Sequence, residues 1–342
     1  MTMMKVAMYY NNNDVRIEEM EIPKINKNEL LVKVHSSGIC GSDVMEWYRI
    51  KKAPRVLGHE IAGEIVKIGK NVKKYKEGDR VFVSHHVPCD ICNFCKNDQH
   101  THCHTLHSTN FDPGGFAEYL RVPEINVEKG TFLLPNNMTY DEAVFIEPLA
   151  CVVRGVEIAQ LKKGQNVLIL GSGISGLIHI KLAKALDAKS IIATDINEYR
   201  LKTAIKLGAD YVINAKKNVS KILREYNNEN LADFIVICTG APIAVEQAIQ
   251  SVATGGTILF FAPTAPGVEI PFPLFDLWNK GVKMYSTYAG SPKDIKKAIE
   301  LIKSKKVKVK DMISHKLPLS ETPKGFQLVA KAQNSIKVII NP

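Results

Sequence analysis

The chain has no apolar run approaching the ~18 residues that a membrane-spanning helix needs, so no spanning segment is expected. Its first residues, MTMMKVAMYYNNND, lack the basic region, long apolar core and small-residue cleavage site of a secretory signal. The cytoplasm is therefore the expected compartment, where thiols stay reduced and clustered cysteines point to metal rather than disulfides. No internal repeat or low-complexity tract is present, which excludes a solenoid.

What is present is ordinary for a soluble enzyme: 342 residues, 45% hydrophobic and 23% charged, a length that favours two domains. The net charge is +10, but the lysines are scattered, which reads as a solvated surface rather than a nucleic-acid face. The densest basic run, IKSKKVKVK at 302–310, reads as the solvent side of a helix end and a strand.

Three regions differ in character. Residues 1–148 are rich in Val, Gly and turn signals, and ELLVKVHSSGIC, EIAGEIVKIG and GDRVFVSHH read as short strands. Residues 149–286 alternate apolar strands with helical patterns: NVLIL, ISGLIHIKLAKALDA, SIIATD, NEYRLKTAIKLGA, YVIN, a helix near 219–227, DFIVICTG, IAVEQAIQSV and TILFFAP. That alternation predicts a doubly wound parallel sheet. Residues 287–342 return to mixed structure, with a helix PKDIKKAIELIKS and a last strand KVIIN. The expected architecture is α/β, a β-rich domain (1–148 completed by 287–342) split around an inserted domain (149–286).

GSGISG follows one of these strands and opens a helix, the context in which G-x-G-x-x-G binds a dinucleotide. Gly171 allows the tight turn, Gly173 lets backbone approach a pyrophosphate, and Gly176 lets helix and strand pack closely. Ile174 and Ser175 then place their backbone N–H groups at the helix N-terminus. Asp195 ends the next strand, where a carboxylate accepts from ribose hydroxyls and repels a 2′-phosphate. NAD is expected over NADP. Arg200 either lies along the adenine or holds a 2′-phosphate.

The stretch VSHHVPCDICNFCKNDQHTHCHTLH (83–107) contains four of the seven cysteines and six of the ten histidines. Cys89, Cys92, Cys95 and Cys103 form C-x2-C-x2-C-x7-C, enough thiolates to close a tetrahedral zinc with no open position. That is a structural site. His100, His102, His104 and His107 read as exposed loop residues. A catalytic zinc needs an open position, and Cys40 in GICGSD, His59 in GHE and Glu147 in FIEPLA form a plausible ligand set. Glu147 follows the apolar AVF and precedes Pro148, so a buried carboxylate there calls for a positive partner.

CGSD, GHEIAGEIVKIGKNV, the four-cysteine lobe, DPGGFAEY, IEPL and GSGISG occur here in the order seen in zinc-containing medium-chain alcohol dehydrogenases. The chain resembles that family over nearly its whole length, and its polyol (sorbitol) and threonine dehydrogenase branches most. The resemblance implies a GroES-like catalytic domain made from both chain ends, with a Rossmann domain inserted. It implies two zinc ions per chain, NAD, and a homotetramer or homodimer. It implies that Cys40, His59 and Glu147 hold the catalytic zinc, with Glu60 adjacent as a support or transient ligand. Asp43 matches the carboxylate that orients the histidine ligand, and Ser42 the hydroxyl that takes the alcohol's proton. Many relatives end that relay with a histidine five residues after the first ligand; here the position is Met45, which cannot accept a proton. Glu46 is a candidate substitute. His86 matches a residue that lies near substrate in the threonine branch, or else is structural. Trp47 and Tyr48 either line the pocket or pack in a core.

The expected reaction is reversible hydride transfer between NAD and a secondary alcohol or polyol. Oxidation of an amino alcohol, as by L-threonine 3-dehydrogenase, is the alternative. A zinc-free reductase of the same superfamily is disfavoured by Cys40, His59 and Glu147. A zinc finger on nucleic acid is disfavoured because DICNFCKND has too few basic and aromatic readout residues.

Overall fold

In the computed structural model, which describes residues 2–342, NVLIL becomes Asn166–Leu170, buried along its whole length. A strand buried on both faces can be apolar throughout, unlike the alternating strand of a half-exposed sheet. It lies inside a six-stranded, wholly parallel sheet. The order across that sheet is Tyr211–Asn214, Ser190–Asp195, Asn166–Leu170, Ala232–Ile237, Val252–Phe260 and Lys283–Ser286. In chain order within this sheet, that is 3-2-1-4-5-6, the dinucleotide-binding arrangement whose order reverses beside the first strand. The expected Rossmann domain is borne out. One of its cores joins Leu168, Ile192, Ile235 and Ile258 to Leu223 and Ala244 of the covering helices.

The helices begin and end where local chemistry dictates. Asn197 caps Glu198–Leu207 by accepting from the backbone N–H of Tyr199 and Arg200, and Gly208 ends it at φ +118°. Ser291 and Asp294 form a capping box on Pro292–Lys303, with proline in its first turn.

The chain divides into two compact units. One comprises residues up to 150, 289–305 and 309–342, and the other 151–288 and 306–308. The first holds a seven-stranded sheet that includes Leu30–Gly38, Glu60–Ile68, Arg80–Val83 and Lys337–Asn341, and a three-stranded sheet built on Met3–Asn11. Its GroES-like, β-rich character agrees with the sequence reading. The last strand pairs with Leu30–Gly38 through Ile339–Gly38 and Ile340–Ser37, so the C-terminal segment completes the sheet begun near the N-terminus.

Two local expectations are corrected. The run at 302–310 contains no strand: the helix stops at Lys303, and Val307 and Val309 are buried in irregular chain. Its alternation reflects burial of two valines, not a ladder. The fifth strand of the parallel sheet also starts at Val252, five residues before TILFFAP, because a register irregularity lets Gly255 (φ +72°) and Gly256 continue it. No helix of the described residues is long and apolar enough to cross a membrane.

Candidate metal centre and active site

The four-cysteine segment folds into short pieces, Asn93–Lys96, His100–His102 and His104–Ser108, which turn the sulfurs inward. The Sγ atoms of Cys89, Cys92, Cys95 and Cys103 all lie within 4.8 Å of one another. Cys92–Cys95 and Cys89–Cys103 are 3.5 and 3.6 Å apart. A tetrahedral zinc with ~2.3 Å bonds has sulfur–sulfur edges of about 3.8 Å, so the set fits that ion. The N–H groups of Cys89 and Cys92 donate to Cys103 and Cys89 sulfurs at 3.4 Å, a pattern that favours thiolates. Burial pushes the Cys103 thiol up, but the N–H groups of Cys89 and Leu106 outweigh it and bring its pKa to about 6. The apolar core of this lobe is Leu106 and the cysteines themselves. With so small an apolar core, a bound metal would add much to the stability of the lobe. The four lobe histidines sit on or beside these short helices, and His102, His104 and His107 are exposed as expected.

The second cluster begins where Leu30–Gly38 ends. Cys40 caps a 3-10 turn, Gly41–Val44, in which Asp43 Oδ2 accepts from the Cys40 N–H at 3.0 Å. Asp43 is fully buried, and its Oδ1 lies 3.4 Å from His59 Nδ1. The contact is productive when Nδ1 carries the proton, which leaves Nε2 as the free ligand nitrogen. Burial opposes charge on Asp43, yet His59, Arg49 and the Cys40 N–H outweigh it and hold the carboxyl below its usual range. Burial likewise opposes His59 protonation, but Asp43 and Cys40 raise its pKa well above the ordinary value.

Cys40, His59 and Glu60 bring ligand atoms within 4.8 Å of one another. Glu60 is fully buried; its Oε2 is 2.5 Å from Lys337 Nζ, and its Oε1 has no hydrogen-bond partner. An orphaned carboxylate oxygen beside a thiol and an imidazole fits a metal cation. Gly38 permits this packing, since a Cβ there would fall inside the Glu60 carboxylate. Glu147 lies in the first turn of Ile146–Ile158 and lines a narrow cavity with Ser84, His85, His86 and Ile295, and its charge also acts on Lys337.

Three residues near these centres are absent from the sequence reading. His85 packs between His59 and His86, with ring centroids 4.9 and 3.8 Å away. Asn126 fixes the backbone here by donating to the carbonyls of Ser84 and His85. Burial, then the neighbouring histidines, hold His85 well below its usual pKa and bring His86 to about 3. Lys337 is the second, a buried cation at the head of the strand Lys337–Asn341, followed by three apolar residues. Arg49 is the third: its Nη2 donates to Ser42 Oγ at 3.0 Å and its Nε to the Ser42 carbonyl at 2.9 Å. Glu46 is exposed and accepts from the Asn12 N–H. Trp47 and Tyr48 are 41% and 38% exposed, so neither is a core residue.

In the second unit, Gly171 has φ +97° between strand and helix, a conformation glycine adopts without strain. A Cβ on Gly176 would strike the Gly171 carbonyl. Gly173 has no neighbour within 3.7 Å of a built Cβ, and the helix Ile174–Ala185 that it opens has no side-chain cap. Backbone N–H groups of Ile174, Ser175 and Gly176 thus begin a helix with room for a phosphate. Asp195 is 7% exposed, and its oxygens accept from the N–H groups of Ser172 and Asn197, both at 2.9 Å. Arg200 Nη1 is 3.9 Å from Asp195.

Two family descriptions match the chain: the alcohol dehydrogenase GroES-like domain over residues 26–134, and zinc-binding dehydrogenase over 175–304. The chain belongs to the zinc-containing medium-chain alcohol dehydrogenase family and is an NAD(P)-dependent oxidoreductase of the alcohol and polyol type. It is similar to sorbitol dehydrogenase of Bacillus subtilis (strain 168), at 31% identity over 99% of this chain and 97% of that protein. Similarity to L-threonine 3-dehydrogenase of Bacillus licheniformis is 33%, over 95% and 94% of the two chains. Alcohol dehydrogenase TADH from Thermus sp. ATN1 has the same fold, with TM-score 0.88, 29% identity and 99% of both chains covered.

Proposed function

We propose that this enzyme interconverts a secondary alcohol or polyol and its ketone, with NAD as the hydride acceptor and two zinc ions per chain. The observation that carries the reading is the gathering of Cys40, His59 and a carboxylate around one point, with His59 Nδ1 turned to buried Asp43. Cys40, His59 and Glu147 would hold the catalytic zinc. Glu60 would support it or replace Glu147 in the ligand set. Cys89, Cys92, Cys95 and Cys103 would hold the structural zinc. When bound, zinc supplies Lewis acidity toward an alcohol oxygen, and NAD supplies the hydride acceptor.

The chain's own residues have distinct tasks. Asp43 fixes the His59 tautomer. Ser42 accepts the alcohol's proton as its own hydroxyl proton moves on. His86 faces substrate. Gly171, Gly173, Ile174, Ser175 and Gly176 hold the pyrophosphate, Asp195 the ribose, and Arg200 the adenine side. Asp195 supports NAD over NADP, and equal kcat/KM with NADP would refute that preference. An amino alcohol is the second reading, supported by the 33% identity with L-threonine 3-dehydrogenase.

Leu274, Phe275 and Trp278 are each more than 70% exposed, on the helix before the outer parallel strand Lys283–Ser286. Such a patch supports a homodimer or homotetramer, which sedimentation would test. A cytoplasmic location is part of the same reading.

The deciding experiment couples metal analysis to an NAD-reduction screen over sorbitol, L-threonine and 2-propanol. Two zinc ions per chain and turnover of one alcohol class support the proposal. One ion or none, with no NAD reduction, overturns it.

A further inference from the structure

Arg49 reaches back across the turn that carries Cys40. Its Nε donates to the Ser42 carbonyl at 2.9 Å, and its Nη2 donates to Ser42 Oγ at 3.0 Å and approaches Asp43 Oδ1 at 3.4 Å. Its guanidinium stacks on Tyr48, 4.7 Å from the ring centroid, and its side chain is only 16% exposed. Asp43 Oδ1 is the same atom that faces His59. One guanidinium thus ties the Ser42 hydroxyl to the carboxylate behind the histidine.

We propose that Arg49 is a positioning residue for the oxidation, clasping Ser42 so that its hydroxyl proton points away from the guanidinium. The inference rests on the reading of Ser42 as the group that exchanges the alcohol's proton. A guanidinium has donors and no acceptor. It therefore occupies one lone pair of Ser42 Oγ and can never take the serine proton. The second lone pair remains for the proton of the alcohol, while the serine's own proton passes to water. No proton is gained or lost at Arg49. The planar fork, held at the carbonyl and the hydroxyl of one residue, fixes a rotor that would otherwise turn freely. The three donors of lysine radiate from one nitrogen and lack the planar fork whose Nε and Nη2 reach the two oxygens separately. The competing role is a counter-ion for buried Asp43, which lysine would fill.

The test is a double-mutant cycle on the zinc-loaded enzyme. Arg49→Ala, Arg49→Lys, Ser42→Ala and the Ser42→Ala/Arg49→Ala pair are compared with the alcohol turned over fastest in the screen above. Zinc retention against a chelator is followed in each variant. We expect Arg49→Ala to lower kcat about tenfold or more with KM nearly unchanged, the scale of one lost hydrogen bond to a charged group. We expect Arg49→Lys to fail likewise, millimolar guanidinium to restore part of the Arg49→Ala rate, and zinc retention to stay at wild type. In the Ser42→Ala background, removing Arg49 should cost nothing more. Additive losses, full activity in Arg49→Lys, or zinc loss parallel to activity loss would overturn the inference. Wild-type activity in Ser42→Ala alone would instead overturn the reading of Ser42, so the two failures are distinguishable. If Arg49→Ala does not fold, Arg49→Lys carries the same cycle.

Discussion

Lys337 and Glu60 form an ion pair at 2.5 Å in which neither side chain is more than 1% exposed. Burial works against the Lys337 ammonium, but Glu60, Cys40 and Glu147 outweigh it and raise its pKa. Removing one member leaves the other as an unpaired buried charge, at a cost of about 3–5 kcal/mol. Lys337→Met should therefore destabilise the protein strongly, while Glu60→Gln/Lys337→Met should recover much of the loss. Urea unfolding of the metal-free variants measures both. A single variant as stable as wild type would mean that the pair is not electrostatically coupled.

The cysteine lobe has a different dependence. With Leu106 as its one buried aliphatic side chain, it should open when a sulfur is removed. Cys103→Ser is expected to lower bound zinc by one ion per chain and to expose residues 90–108 to limited proteolysis. Chelation of the wild type should produce the same cleavage pattern. A protease-resistant lobe without metal would show that its packing suffices.

The sequence made some of this legible and hid the rest for identifiable reasons. The parallel sheet, the glycine turn and the cysteine lobe are written in local spacing, so strands such as Asn166–Leu170 and Lys337–Asn341 fall where apolar runs place them. The Lys337–Glu60 pair was not legible because its members are 277 residues apart and meet only after the chain ends share a sheet. Arg49 is not legible because its side chain folds back seven residues onto Ser42, a contact that no motif encodes. His85 and His86 are adjacent in sequence, but what distinguishes His85 is its packing against His59, which no spacing rule conveys. Glu60 and Glu147 both looked like carboxylates near metal; which oxygen lies beside Cys40 and His59 depends on rotamer and on Lys337.

The proposed preference for NAD is tested at Asp195. Its carboxylate is fixed by the Ser172 and Asn197 N–H groups, so its negative charge cannot swing away from a 2′-phosphate. Asp195→Asn should raise the ratio of kcat/KM for NADP over NAD by about tenfold or more, equal to ~1.4 kcal/mol of discrimination. Arg200 would then be the cation available to the phosphate, and adding Arg200→Ala should reverse the gain. An unchanged ratio in Asp195→Asn would place the discrimination elsewhere.

The pH dependence of stability should carry the signature of His179. This side chain is 2% exposed in the helix Ile174–Ala185. Nδ1 donates to the Ser175 carbonyl at 2.8 Å, while Nε2 has no partner among the described residues. Burial disfavours the imidazolium and outweighs the Ser175 carbonyl, bringing the pKa down to about 4. The unfolded histidine titrates near 6.5. Between those values the unfolded chain binds a proton that the folded chain does not, so stability falls as pH drops through the window and is level above it. The largest possible contribution is about 3 kcal/mol, reached at the acid end. His179→Leu should leave stability near neutral pH similar and flatten the decline at about pH 5, as followed by urea midpoints at both pH values. His85 and His86 add acid sensitivity of the same sign to both proteins, so the difference between the two curves isolates His179. Parallel curves would mean that His179 is protonated, or hydrated, in the folded protein.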